Sequence, residues 1–409
     1  MNVQESARVD TASVPAHVPA DRVVPYDLLR ISGSDQDPFK VMNALRTKAD
    51  IFYTPVHFSN SAGAWVLTRA EDIRHVLQNP QLFSSQGVSG FSKLLGETWD
   101  MIPLELDPPR HTQFRAILNP LLSPVKIAQM QEGIRASCIE LIDAVANQGG
   151  CDFVEAFAKP FPVRIFLQLM GLPLELFDQF LKWNNSLLFG ESMEERIAAA
   201  AAIRDYLRQL IAERKKNPVK DLVSSAVQAR VDGEPITDDE ILGICYLLFV
   251  GGLDTVAASL SFYFRHLAMH PQQQQQLREN PALIAEAVEE LLRTHAVVMV
   301  SRFVTADTEV AGVAMKQGDC IAIYTSFASF DPAEIDHPEV VDFNRSLNRH
   351  IAFSYGPHRC VGSHLARREL ITALEEWTRR MPEFRIPSGA AVKMHGGVVF
   401  SIDRLPLVW

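Results

Sequence analysis

The sequence predicts a mainly α protein with small β-sheets, and three observations predict it. Across residues 118–292, apolar residues recur at three- and four-residue intervals between proline and glycine breaks. Runs rich in β-branched and aromatic residues flank this block instead of alternating with it, which disfavours a parallel α/β sheet. Neither a fixed-period repeat nor a long linker divides the chain, so one domain is expected over residues 26–409.

Ahead of that domain, MNVQESARVDTASVPAHVPADRVV has no basic start and no apolar run. It reads as a flexible polar arm over residues 1–25, neither a signal peptide nor a membrane anchor. IFYTPVHFSNSAGAWVLTR supplies the first strands. The helical block follows, with FPVRIFLQLMGLP, MEERIAAAAAIRDYLRQLIAERKKNP and PALIAEAVEELLRTH as its clearest members. Between the last two lies the longest candidate. It starts at TDDE, where Thr237 and Glu240 have capping-box spacing, and runs until His270 meets Pro271. After Ser301, RFVTADTEVAGVAMKQGDCIAIYT supplies further strands.

Residues 241–264 of that long helix are apolar over a membrane-like length and carry a single charge, Asp254. A carboxylate at a bilayer centre costs roughly 2.5 to 3.5 kcal/mol, so a buried core helix is expected rather than a membrane span. GGLDT then places a carboxylate and a hydroxyl inside the protein. Either Thr255 bonds back to the preceding turn while Asp254 meets a buried cation, or both serve a functional site.

Composition narrows the function. The chain is 47% hydrophobic and 22% charged with a formal charge of −10, a balance that repels a phosphate backbone, so nucleic acid is not an expected partner. Five cysteines without a CxxC pair indicate neither a disulfide framework nor a zinc knuckle, and a reducing cytoplasm is the expected setting.

Cys360 lies in HIAFSYGPHRCVGSHLARREL, just before a helical pattern. It has three possible roles: core residue, nucleophile or metal ligand. A nucleophile would recruit His358 or His364, but no oxyanion-hole motif accompanies the thiol. A ligand explains the neighbours better. Gly356 and Gly362 let backbone approach a flat cofactor, Phe353 can shield the sulfur, and the following helix N-terminus favours a thiolate.

FSYGPHRCVG matches the haem-binding pattern FxxGx[H/R]xCxG through Phe353, Gly356, His358, Cys360 and Gly362, and on it the chain resembles the cytochrome P-450 family. EELLR supplies an ExxR pair, Glu290 and Arg293; GGLDT, beginning at Gly251, matches the oxygen-binding groove; HTQFR matches a haem-contacting HxxxR. DPPRHTQFRA, PFPVRIFLQLMGLP, SHLARREL and LPLVW extend the similarity to bacterial camphor hydroxylases over nearly the whole chain.

The resemblance implies a triangular prism, with haem b between a long distal helix and a proximal helix and its iron held by Cys360. His111, Arg115, Arg302 and His358 would reach the propionates. Asp254 and Thr255 would manage protons, and Glu290 and Arg293 would support the fold. Arg359, Arg367 and Arg368 would receive a [2Fe-2S] ferredoxin fed by an NADH-dependent flavin reductase. A monomer using O2 is expected.

Trp99 stands where the camphor hydroxylases have a substrate-bonding tyrosine, and it joins Phe91, Leu247, Val250, Val298 and Val399 in the expected pocket. Those side chains fit a compact hydrophobic terpenoid or norisoprenoid, a camphor-like or ionone-like ketone. Near the aspartate Lys182 matches the relative, but Gly190 replaces an arginine, and Val300 replaces an aspartate near a propionate. The rival from another class is a haem-based sensor without turnover, which would not need the Asp254–Thr255 pair. A cysteine hydrolase is a further alternative, which a haem spectrum excludes.

Overall fold

A computed structural model describes residues 14–409 apart from 31, 34–36, 57–62, 191 and 347. Numbered in chain order, the elements that position the site begin with strands β1 (Ile51–Thr54), β2 (Ala64–Leu67) and β3 (Phe83–Ser84). Helices α1 (Arg110–Leu121) and α2 (Pro124–Val145), strand β4 (Gly150–Asp152), and helices α3 (Pro160–Leu169), α4 (Phe177–Phe189) and α5 (Met193–Lys216) follow. Then come α6 (Asp238–Met269), α7 (Ile284–Thr294), β5 (Met299–Val304), β6 (Cys320–Tyr324), α8 (Ser363–Arg380), β7 (Lys393–His395), β8 (Ser401–Arg404) and β9 (Pro406–Val408).

The expected helices and strands are all present, and α6 starts and stops where its sequence signals stand. The Glu240 N–H donates to Thr237 Oγ1 at 3.2 Å and the Thr237 N–H donates to the Glu240 carboxylate at 2.7 Å, closing the capping box. Length and composition would let α6 cross a membrane, yet most of its apolar span is buried inside the protein. It is shared by two apolar clusters. Ile241, Leu242, Phe249 and Leu253 pack with residues of α3, α4 and α5, whereas Val256, Leu260 and Leu267 pack with the sheet, α2 and α8. Asp254 and Thr255 fall at the seam. Each large apolar side chain so buried stabilises the fold by roughly 1.5 to 3 kcal/mol.

The main sheet has the order β1-β2-β6-β5-β3, with β2 and β6 parallel and the other pairs antiparallel. β7 pairs with β8, and β9 returns to pair with β4, Pro406 opposite Asp152 and Val408 opposite Gly150. The arm expected to be loose over residues 1–25 needs correction where it is described. Val24 N–H donates to Tyr53 O at 2.8 Å, His17 Nε2 meets Asp319 Oδ2 at 2.9 Å, and Val18 is buried, so residues 14–25 are docked on the sheet edge. Residues 1–13 lie outside the described residues.

Glu290 and Arg293, one turn apart on α7, are both fully buried. Arg293 forks onto the carboxylate with two bonds of 2.8 Å and donates to the carbonyls of Ser329, Pro338 and Val340 at 3.0, 2.7 and 2.9 Å. Glu290 also accepts from Arg345 Nε at 3.1 Å, Asn348 Nδ2 at 3.2 Å and the Asp342 N–H at 3.0 Å. This network pins the segment leading to the Cys360 loop. Its neighbour Glu289 holds the other side, accepting from His350 Nε2 at 3.0 Å and Arg367 Nε at 2.5 Å. Burial opposes ionisation of Glu289, but its bonds to His350 and Arg367 win and hold it down at about 2.

Removing charge from a buried, fully bonded ion pair costs about 3 to 5 kcal/mol. Glu290→Gln is therefore expected to lower unfolding free energy by that amount in urea denaturation, and to reduce the haem recovered per chain on purification.

Candidate active site

A cavity of about 930 Å³ lies where the middle of α6, the start of α1, the strand entering β5 and the Cys360 loop converge. Cys360, Phe353, Gly362, His358, His111, Arg115, Arg302, Gly251, Asp254 and Thr255 all line it. Gly356 does not, and its role is in the turn instead. Its φ is +67°, and a Cβ there would stand 2.4 Å from the Leu77 carbonyl oxygen, so only glycine fits. Glu290 and Arg293 lie outside the cavity wall, as expected of a structural pair.

The Cys360 N–H donates to Phe353 O at 2.9 Å, folding the loop back so that phenylalanine and thiol line one wall just before α8. Burial raises the thiol, while a bond from the Gly362 backbone and the charges of Arg115, Arg359 and Arg367 pull it back down. The Arg367 guanidinium sits 4.5 Å from the Phe353 ring centre. Arg367 is thus held between Phe353 and Glu289.

One edge of the cavity is built for anions. His111 and His358 pack ring against ring, 4.0 Å between centroids, beside Arg115 and Arg302. Both ring nitrogens of buried His111 lack a partner among the described residues, while His358 Nε2 meets Ser85 Oγ at 3.2 Å. Burial, reinforced by Arg115 and Arg302, pushes His111 down to about 4. Burial, Arg302, His111 and Arg115 push His358 down to about 2. Arg115 donates to Arg359 O at 2.6 Å and Arg302 to Ser301 O at 2.7 Å, and the Asp107 carboxylate acts on both His111 and Arg302, so the unpartnered group on this edge is His111, beside two guanidiniums with further N–H donors for acidic ligands. A haem fits this donor set, with Cys360 for its iron and this edge for its propionates.

On α6 the Thr255 hydroxyl donates to Gly251 O at 2.9 Å, and Ser259 Oγ donates to Thr255 O at 2.8 Å. Thr255 thus makes the local bond open to it and still faces the cavity, with its lone pairs left as acceptors. Desolvation raises Asp254 to about 6, against the pull of His395 and Lys159. The relative's basic partners are not reproduced. Lys182 is exposed on α4, and a Cβ at Gly190 would stand 2.4 Å from Ser186 O. Arg196 of α5 lines the cavity here and donates to Gly190 O at 3.0 Å.

Phe91, Leu247, Val250, Val298 and Val399 line the wall, and so does Val300. Trp99 does not. It is buried against Tyr246, 4.9 Å between ring centres, and its indole N–H donates to Glu97 at 2.5 Å. Glu97 also accepts from Arg204 at 2.8 Å and Arg208 at 3.0 Å, so the carboxylate draws the indole out toward α5. Met101 lines the cavity in its stead. Sequence reasoning also missed Glu289, His395 and Glu369. Glu369 is a buried lining carboxyl with an unpartnered Oε2, raised well above its usual range by desolvation. Only Glu289 had a visible signal, the doubled acid in EELLR.

A thiol and an acid–alcohol pair sharing one cavity with a trap for carboxylates define a haem-thiolate protein. The chain belongs to the cytochrome P450 family, whose model matches residues 174–380. It is 40% identical over 408 residues, 98% of either chain, to a probable cytochrome P450 127A1 of Sinorhizobium fredii. It is 33% identical to a steroid C26-monooxygenase of Mycobacterium tuberculosis, over 81% of this chain and 91% of the relative. The solved structures of CYP101C1 and CYP101J2 superpose with TM-scores of 0.88 and 0.87 at 36% and 32% identity, covering 97% of this chain and 99% of each. It is a cytochrome P450 monooxygenase that binds haem b.

Burial raises Asp254 in the folded state, so its penalty grows as pH rises from the unfolded-state value near 3.8 to about 6 and is complete above that. Asp254→Asn removes it. The variant's melting temperature minus the parent's, followed in holoprotein of equal haem content, is expected to increase between pH 4 and 6 and then level off.

Proposed function

We propose that this monooxygenase hydroxylates a compact apolar terpenoid or norisoprenoid, such as a camphor-like or ionone-like ketone. The observation that carries the reading is the wall of Phe91, Met101, Leu247, Val250, Val298 and Val399, apolar throughout. The same cavity of about 930 Å³ must hold both macrocycle and substrate, which favours a small molecule over a long one. Haem ligated by Cys360 would supply the redox chemistry by which substrate, O2, two electrons and two protons give alcohol and water.

The chain's own residues do the rest. The apolar wall orients the substrate and excludes water. Asp254, held near pH 6 by desolvation, is poised to take up and release a proton at neutral pH. Thr255 Oγ1 presents acceptor lone pairs beside it, since its own proton is spent on Gly251 O.

Electrons would come from a [2Fe-2S] ferredoxin served by an NADH-dependent flavin reductase. Exposed Arg359 and half-buried Arg367 and Arg368 surround the Cys360 loop, a local cationic patch on a chain of charge −10, suited to an acidic partner. A reducing cytoplasm suits the five free thiols.

Titrating ferric holoprotein with camphor, related monoterpenoids and ionones is expected to shift the Soret band from low to high spin with one of them. Haem present and no shift with any of them overturns the substrate reading. Thr255→Ala is expected to keep that shift but to divert most NADH-derived electrons to hydrogen peroxide, measured as peroxide and product per NADH consumed. Parent-like coupling in this variant removes the hydroxyl's role.

A further inference from the structure

Asp254 makes no hydrogen bond among the described residues, and the cations that act on it are His395 and Lys159. Lys159, next to α3, is paired with Glu155 at 2.6 Å. His395 belongs to a different assembly. On β7, Lys393 and His395 point to one face while Met394 is buried on the other. A register shift between Lys393 and Met394 accompanies their pairing with β8, and Asp403 of β8 meets both. Its carboxylate lies 2.8 Å from His395 Nδ1 and 3.3 Å from Lys393 Nζ. Asp254, His395, Asp403 and Lys393 all line the same cavity. Side-chain exposure falls from 67% at Lys393 through 34% at Asp403 to 25% at His395, so the cluster leads from solvent inward.

We infer that His395, oriented by Asp403, is the relay residue that returns a proton to Asp254. The step is a proton transfer. The imidazolium gives up its Nε2 proton through intervening water, since no hydrogen bond joins the two side chains, to the Asp254 carboxylate, leaving a neutral ring whose Nδ1–H stays on Asp403, and solvent then reprotonates Nε2. An aspartate behind a histidine fixes the tautomer that this requires. The charged groups acting on Asp254 are His395, paired with Asp403 beside Lys393 on the β7–β8 hairpin, and Lys159, paired with Glu155 ahead of α3; Arg196 of α5 lines the same cavity. Of these, only His395 carries a ring that can take a proton at one nitrogen while the other stays bonded to a carboxylate, which suits it to pass protons to Asp254. The inference rests on the reading above that Asp254 handles protons, and it assigns where those protons come from.

Two measurements on holoenzyme test it. In the ferrous carbon monoxide form, NMR titration of the His395 ring should give a lower pKa in Asp254→Asn than in the parent, because a nearby carboxylate is gone. An unchanged value overturns the inference. In turnover with β-ionone as probe, His395→Gln should keep the carbon monoxide spectrum yet lose activity toward the level of Asp254→Asn, by on the order of 10²-fold. The decline of rate with rising pH should flatten, because the donor that is lost at high pH is gone, which a merely structural role would not produce. Parent-like rate and pH profile in His395→Gln, with Asp254→Asn impaired, overturn the His395 relay alone. Parent-like behaviour in Asp254→Asn overturns the Asp254 reading itself.

Discussion

Two adjacent carboxylates on α7 hold the Cys360 loop from both sides. Glu290 and Arg293 secure the chain ahead of it through Arg345, Asn348 and the carbonyls of Ser329, Pro338 and Val340. Glu289 secures His350 before the loop and Arg367 after it. A loop of glycines and single hydrogen bonds would otherwise pay a large conformational entropy to keep one thiol in one place. Here that rigidity is borrowed from a buried ionic cluster, whose charges have no cheaper arrangement because every lone pair and N–H already has a partner.

The second constraint falls on α6. It must be apolar on nearly every side to join two clusters, yet it carries a carboxylate and a hydroxyl at its midpoint. The conflict is resolved by position. Ile241 to Leu253 serve one cluster and Val256 onward the other, leaving Asp254 and Thr255 at the seam where the cavity opens. Desolvation there is strong enough to shift the acid toward neutrality without another residue bonding it.

What was legible in the sequence was what depends on neighbours in the chain. Caps, helix periods and the spacing around Cys360 are local, so the limits of α6 and the turn at Gly356 could be read directly. Trp99 could not, because residues 97–100 have no regular structure and no period assigns a facing. Its direction is set by Glu97, whose own place depends on Arg204 and Arg208 of α5. Likewise the surroundings of Asp254 come from β7 and from the turn before α3, segments distant in sequence. Matching a relative's lysine and arginine position by position located no cation near the acid, since charge can reach one point in space from any element that passes it.

The pairing of β9 with β4 carries a consequence for biosynthesis. Phe153 N–H donates to Leu405 O at 2.8 Å and Leu405 N–H to Asp152 Oδ1 at 3.2 Å, just ahead of the segment that leads into α3. A strand needed near residue 150 is thus translated only after residue 405. The pairing is a long-range contact of the kind that slows folding and leaves apolar surface open until it forms. The last pairing of the fold therefore waits on the last residues of the chain to be made.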